Sequence, residues 1–119
     1  MLISAILFVT IDFIYLKLMK GYFEKQIQKV QGSPIKINYL GAALCYIFLI
    51  IGLNYFIIKP KKSVNEAFLL GIIIYGVYET TSYAIFKEWS VLTVFADTLW
   101  GGILFASTTY IINLLRNIF

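Results

Sequence analysis

Three acidic residues stand inside apolar stretches long enough to cross a bilayer: Asp12, Glu79 and Asp97. An ionised carboxylate in the middle of a membrane-spanning helix costs about 2.5–3.5 kcal/mol on insertion scales, so such residues are functional candidates by default. Clustered acids in a medium of low dielectric constant either take up protons or recruit a cation. The three acids are therefore a candidate site for a proton or a small cation.

Spacing along the chain gives the three acids a common depth. Each acid is eight residues from the charged or aromatic residue that closes its apolar stretch, respectively Lys20, Lys87 and Trp89. At 1.5 Å per helical residue, each acid lies roughly 12 Å below the same membrane face. This coincidence favours one polar cluster built by three helices over three isolated acids.

Aromatic and hydroxyl side chains surround the acids at helical spacing. The residues three or four positions from an acid, and so on its side of the helix, are Tyr15, Tyr75, Ser82, Tyr83 and Trp100. Hydroxyl and indole groups donate hydrogen bonds to carboxylates, and aromatic faces stabilise ammonium groups by about 0.5–2 kcal/mol. We expect these side chains to line the cluster. Gly101 leaves a gap in which a neighbouring helix can approach closely.

Composition excludes most other kinds of chemistry. Of the 119 residues, 61% are hydrophobic and 13% are charged, whereas about 25% of the residues in an average soluble domain are charged. Cys45 is the single cysteine and histidine is absent, which excludes the usual zinc, haem and iron–sulfur ligand sets. We therefore expect a membrane protein with no cofactor, in which any metal would need carboxylate ligands.

Four apolar stretches lie between clusters of charged and turn-forming residues. A hydrocarbon core about 30 Å thick needs about 20 apolar residues per helix. The predicted spans are residues 2–19, 38–58, 66–86 and 92–115. The sequence thus predicts an all-α protein, with residues 1–119 forming a single four-span helical bundle.

The segment between the first two spans has a different pattern. Within residues 21–31, Phe23, Ile27 and Val30 recur at helical spacing, with charged and amide residues on the other faces. This pattern predicts a short amphipathic helix on the membrane surface, and an irregular basic loop is the alternative. The lysines expected to contact lipid headgroups are Lys20, Lys25, Lys29 and Lys36.

The distribution of basic residues predicts which loops face the cytoplasm. Six of the ten basic residues fall on the side of the first and third loops and four on the side of the termini. The positive-inside rule therefore places the first and third loops in the cytoplasm by a narrow margin and leaves dual topology open. The net charge of +4 comes with no nucleic-acid-reading motif, so the lipid bilayer is the expected partner.

With these residues identified, the chain resembles an uncharacterised family of small four-helix membrane proteins whose domain has no known function. The strongest part of the resemblance is residues 75–104, which are similar to the family pattern Y-x-x-Y-D-L-T-N, then K-x-W, then D-x-x-W-G. The matching positions are Tyr75, Tyr78, Thr81, Trp89, Asp97, Trp100 and Gly101. On this match Tyr78 joins the residues that line the cluster.

The resemblance extends to the first span and has two departures. Residues 11–16 are similar to the first-helix pattern L-D-x-x-W-L, which puts Asp12 on the acidic position. Glu79 stands where the family has Asp, and Ser82 stands where it has Asn. Both departures keep the polarity of the position. The resemblance implies a fold and no reaction.

Two functions from different classes remain open on these grounds. The first is a proton- or cation-coupled transporter or conductance that uses the three acids. It would require a homo-oligomer, because four helices leave little room for a pathway. The second is a structural or accessory protein, in which the polar cluster holds the helices together at about 0.6 kcal/mol per hydrogen bond.

A membrane-embedded lipid-modifying enzyme is the third hypothesis. Paired carboxyls can serve as general acid and base when burial separates their proton affinities. The sequence contains no recognisable nucleophile–base pair, phosphate loop or metal motif. The pattern therefore leans away from an enzyme, and no catalytic residue is assigned.

Overall fold

The computed structural model describes residues 2–32 and 38–118, and helices make up most of this part of the chain. The helices are α1 (Leu2–Leu18), α2 (Lys20–Gln31), α3 (Tyr39–Leu53), α4 (Val64–Ile85) and α5 (Val91–Ile118). No strand occurs within the described residues. The predicted all-helical fold class is confirmed. Lys36, one of the predicted headgroup contacts, lies outside the described residues.

Three helices are long and apolar enough to cross a bilayer: α3 together with its continuation to Ile58, α4 and α5. Helix α1 has 17 residues, which span about 25 Å. It qualifies as a fourth span only together with α2, from which it is separated by a bend of 72°. Length and composition therefore give three to four candidate spans. The sidedness of the loops stays a prediction.

Helices α4 and α5 are in backbone contact where glycines face each other. A Cβ atom built on Gly71 would lie 2.2 Å from the carbonyl oxygen of Gly101, and one built on Gly102 would meet the side chains of Phe68 and Ile72 at 2.8 Å. Only glycine permits such an approach between helices. Gly101 therefore admits a neighbouring helix, as its position beside Trp100 predicts, and that helix is α4.

The apolar core lies where α1, α3 and α5 meet. Phe8 is fully buried and packs edge-on against Phe105, with ring centroids 5.4 Å apart, and against Tyr46 at 6.3 Å. The outer faces of the helices are also apolar, and residues such as Leu40, Phe48 and Phe95 have about 70% of their surface exposed. A lipid environment removes the cost of exposing these faces to water.

Two polar contacts join α1 and α5 to the segment that follows α3, at the end of the bundle that carries Ser4. The chain continues from α3 as a π-helical segment, Asn54–Ile58. Ser4 Oγ donates a hydrogen bond to Asn54 Oδ1 at 2.9 Å, and Arg116 of α5 donates to the carbonyl oxygen of Ile58. The π-helical segment is thus bonded to both α1 and α5.

Helix α2 is fixed to the start of α5. The Gln26 side chain is buried, and its amide nitrogen donates a hydrogen bond to the Glu88 carbonyl oxygen at 2.7 Å. Its amide oxygen accepts one from the Ser90 backbone N–H at 3.1 Å and another from the Thr93 hydroxyl at 2.7 Å. Tyr22 Oη lies 2.7 Å from Thr93 Oγ1. The segment 21–31 is therefore a helix rather than an irregular loop, and its buried anchor is an amide.

Candidate functional site

Asp12 joins three helices through its carboxyl group. The side chain is 6% exposed. Its Oδ1 accepts a hydrogen bond from Trp100 Nε1 of α5 at 2.8 Å, and its Oδ2 accepts one from the Tyr46 hydroxyl of α3. Both oxygens are thus bonded to side chains from other helices. Asp12 is the acceptor that ties α1 to α3 and α5.

The carboxyl groups of Glu79 on α4 and Asp97 on α5 lie next to each other, close enough to interact. Ionised carboxylates only accept hydrogen bonds, so two adjacent carboxyl groups can bond to each other only when one of them carries a proton. Glu79 is 1% exposed and accepts from Trp89 Nε1 at 3.0 Å. Asp97 Oδ1 accepts from the Tyr15 hydroxyl at 3.4 Å.

Two stacked aromatic rings connect these contacts. The rings of Tyr15 and Trp100 are nearly parallel, with centroids 4.3 Å apart. Tyr15 donates to Asp97 and Trp100 donates to Asp12. The carboxyls of α1, α4 and α5 therefore belong to one connected arrangement, which we call the acidic cluster: Asp12, Glu79 and Asp97.

The comparison with protein families decides the family. A model for the family described as "Predicted membrane protein (DUF2177)" matches residues 1–114. The chain belongs to the DUF2177 family. This finding confirms the resemblance to an uncharacterised membrane protein family, and the matched region includes the whole acidic cluster. No curated protein and no solved structure matches the chain.

The four α4 residues predicted to line the cluster differ in exposure in this DUF2177 chain. Ser82 is buried, and the partly buried Tyr75 packs edge-on against Phe105. Tyr78 and Tyr83 are 62% and 51% exposed. Consecutive helical residues point about 100° apart, so Tyr83 faces outward when Ser82 faces inward. Tyr78 and Tyr83 are thus exposed on α4 in the single chain, and their place in the lining of the cluster stays a prediction.

Two hydrogen-bond donors of the cluster are missing from the sequence-based set. Tyr46 donates to Asp12, and it stands seven residues into α3, where the surrounding residues are otherwise apolar. That isolated hydroxyl in the middle of a span is the signal that could have identified it. Trp89 donates to Glu79 from ten residues along the chain. Because Trp89 follows α4, its position predicts a residue at the membrane interface and gives no indication of the hydrogen bond to Glu79.

No basic side chain in the described part of the chain forms an ion pair with the acidic cluster. Within those residues the one ion pair joins Lys20 to Glu24 on the exposed surface of α2, at 3.9 Å. Lys17, on the same helix as Asp12, is exposed. Residues 2–32 and 38–118 contain no group of three acids or cysteines with metal-binding geometry. Hydrogen-bond donors rather than cationic side chains surround the carboxyls.

Proposed function

We propose that this small integral membrane protein binds a proton, in exchange with a small cation, at the Glu79–Asp97 pair within the membrane. The observation that carries the proposal is the contact between two carboxyl groups on neighbouring helices with no ion-paired basic residue among the described ones. Two carboxylates held together repel each other unless a proton is shared. When the proton leaves, the same two groups attract a monovalent cation.

Asp12, the third acid of the cluster, has a different role in this proposal. Both oxygens of Asp12 already accept hydrogen bonds, from Trp100 and Tyr46. A carboxyl with both oxygens occupied has little capacity left for a ligand. Asp12 therefore holds α1, α3 and α5 in position, while Glu79 and Asp97 exchange the proton.

Movement of protons or cations across the membrane requires access to the pair. Glu79 is 1% exposed, whereas Asp97 is half-buried, so any route to the pair leads through Asp97. Two grooves on the surface, one between α2 and the start of α5 and one between α1 and α3, include no member of the acidic cluster. We therefore propose that a second copy of the chain completes the route, so that the working unit is a homo-oligomer.

An infrared pH titration of the purified protein in lipid tests proton binding. The shared proton predicts one protonated-carboxyl carbonyl band that persists to neutral pH in the wild-type protein. The band is expected to disappear in Glu79→Gln and in Asp97→Asn, because an amide can donate the hydrogen bond without an extra proton. Glu88→Gln is the matched control, since the Glu88 side chain is exposed in the connection between α4 and α5. Independent titration of Glu79 and Asp97 at ordinary carboxyl values would contradict the proposal.

Proton movement is tested separately in proteoliposomes. Vesicles loaded with a pH-sensitive dye and with sodium are diluted into sodium-free buffer, so that the sodium gradient drives exchange, and the rate of internal pH change is followed. We expect flux with wild type and Glu88→Gln and none with Glu79→Gln. Equal rates in all three preparations and in protein-free vesicles would refute transport, whereas the infrared result decides proton binding on its own.

A structural role is the second candidate, and the contacts of Asp12 favour it. Each of the three carboxyls accepts a side-chain hydrogen bond from a tyrosine or a tryptophan. Such bonds hold membrane helices together at about 0.6 kcal/mol each. If this is the whole role, Glu79→Gln and Asp97→Asn combined will retain the wild-type thermal stability and will bind no fewer protons than the wild-type protein at neutral pH.

A further inference from the structure

A basic groove lies between α2 and the connection from α4 to α5. The cavity is about 550 Å³ in volume. Lys25 and Lys29, one helical turn apart on α2, line one wall, and Lys87 lines the other. Glu88 is the single acid among the lining residues, so the groove carries a net charge of +2. The two walls together suit an anion.

The floor of this groove holds its two walls in a fixed relation. Tyr22, Gln26 and Ser90 line it, and they belong to the hydrogen-bonded network that fixes α2 to the start of α5. Gln26 is 6% exposed and bonds to the backbone at both Glu88 and Ser90. The backbone of α2 that carries Lys25 and Lys29 is therefore held in a fixed relation to the connection that carries Lys87, which reduces the ordering cost of binding.

One edge of the groove is apolar and continues down the bundle. Leu92 lines this edge. It is followed at helical spacing by Phe95 and Leu99, and the exposed fractions of the three residues are 66%, 71% and 51%. Trp89 also lines the groove, and its amphipathic ring suits the level of lipid headgroups. A cationic groove that opens onto an apolar helix face matches a molecule with an anionic head and a hydrocarbon tail.

We propose that this groove is a binding site for an anionic phospholipid, with the headgroup phosphate between Lys25, Lys29 and Lys87 and an acyl chain along Leu92, Phe95 and Leu99. The site differs from a general attraction of basic loops to the membrane. Lys20 is paired with Glu24 on the surface and does not line the groove. A specific site retains its lipid after extraction, whereas a general surface charge does not.

Native mass spectrometry of the full chain in detergent measures that retention. The protein is titrated with phosphatidylglycerol, with phosphatidylcholine and with inorganic phosphate in separate experiments. The test variant is Lys25→Gln, Lys29→Gln and Lys87→Gln combined. The matched control removes three lysines elsewhere on the chain, by Lys59→Gln, Lys61→Gln and Lys62→Gln combined.

We expect wild type and the control to retain one phosphatidylglycerol. The groove variant is expected to lose affinity by about fivefold for each lysine removed, from the typical contribution of one basic residue near anionic lipid. Equal loss in the control and groove variants, or equal retention of phosphatidylcholine, would overturn the assignment. Saturable binding of inorganic phosphate at the affinity of phosphatidylglycerol would also overturn it, because it would identify a site for the free anion.

A second measurement needs no substitution. Phosphatidylglycerol that carries a photoactivatable acyl chain is incorporated with the wild-type protein into nanodiscs and crosslinked, and the modified peptides are mapped. Crosslinks concentrated on residues 92–99 support the proposal. Crosslinks distributed evenly over the outer faces of α3, α4 and α5 refute it, whatever the folding of the lysine variants.

Discussion

The indole of Trp100 lies parallel to the phenol ring of Tyr15, with centroids 4.3 Å apart and an angle of 8° between the planes. Each ring donates a hydrogen bond to a different acid, Trp100 to Asp12 and Tyr15 to Asp97. Stacking therefore fixes the direction of both donors at once. A change in one ring affects both carboxyls of the α1–α5 interface.

Trp100→Phe tests the donor without removing the aromatic face. The phenyl ring can still stack on Tyr15, but Asp12 loses the N–H that bonds to it at 2.8 Å. We expect the free energy of unfolding to fall by about 1–2 kcal/mol, toward the upper end of measured hydrogen bonds between membrane helices. Unfolding in mixed micelles measures the change. Tyr15→Phe should cost less, because its bond to Asp97 is 3.4 Å long, and a larger loss there would contradict this ranking.

Tyr46→Phe and Tyr83→Phe compare an inward and an outward tyrosine. Tyr46 donates to Asp12, so removal of its hydroxyl leaves one carboxyl oxygen without that donor, at a cost of about 1–2 kcal/mol. Tyr83 is 51% exposed, and its change to Phe should alter stability by less than about 0.5 kcal/mol. Thermal denaturation of both variants in the same detergent measures the two losses of stability. Equal effects would mean that the Tyr46 contact adds nothing to stability.

Hydropathy, together with the charged and turn-forming residues between the apolar stretches, predicts the helices well because both depend on local sequence. The predicted stretch 66–86 corresponds to Val64–Ile85, and 92–115 corresponds to Val91–Ile118. The common depth of the acids also follows from counting residues along each helix. Depth is set by the chain itself, so no knowledge of packing is needed.

Rotation of each helix about its own axis is harder to predict. The outer faces are as apolar as the core, so hydrophobic periodicity does not distinguish the buried face of α4 from its outer face. Tyr83 and Ser82 both lie near Glu79 along the helix, yet only Ser82 is buried. The partner of Asp12 on α3, Tyr46, lies 34 residues away. Only the packing of α1 against α3 brings these two side chains together.

Gly71→Ala tests the backbone contact between α4 and α5. The new methyl carbon would lie 2.2 Å from the Gly101 carbonyl oxygen, and a backbone atom cannot move aside as a side chain can. We expect a loss of about 1–3 kcal/mol from overpacking. Gly52→Ala is the matched control, because nothing lies within 4 Å of its Cβ position. That change should be neutral or should stabilise α3 by up to about 1 kcal/mol. A stable Gly71→Ala protein would show that the helices separate readily here.

Gln26→Ala tests the attachment of α2. The substitution removes the hydrogen bonds from Gln26 to Glu88, Ser90 and Thr93, so α2 should detach from the start of α5 while the remaining helices stay folded. Hydrogen–deuterium exchange is expected to rise across residues 20–31 and little elsewhere. Gln28→Ala, on the exposed face of the same helix, should leave exchange unchanged. Equal exchange in the two variants would show that α2 is held by its other contacts.

Amide substitutions separate the two kinds of carboxyl in the acidic cluster. Asp12 accepts from a donor at each oxygen, so Asp12→Asn places an amide NH₂ against one of those donors and should cost about 1–2 kcal/mol of stability. Asp97 instead faces a second carboxyl, Glu79. Asp97→Asn can donate to that group and should therefore cost less than about 0.5 kcal/mol while removing one bound proton. Unfolding measurements at neutral pH, combined with the infrared titration, give both quantities for each variant. The reverse order of stability would contradict the assignment of Asp12 as an acceptor held between two donors.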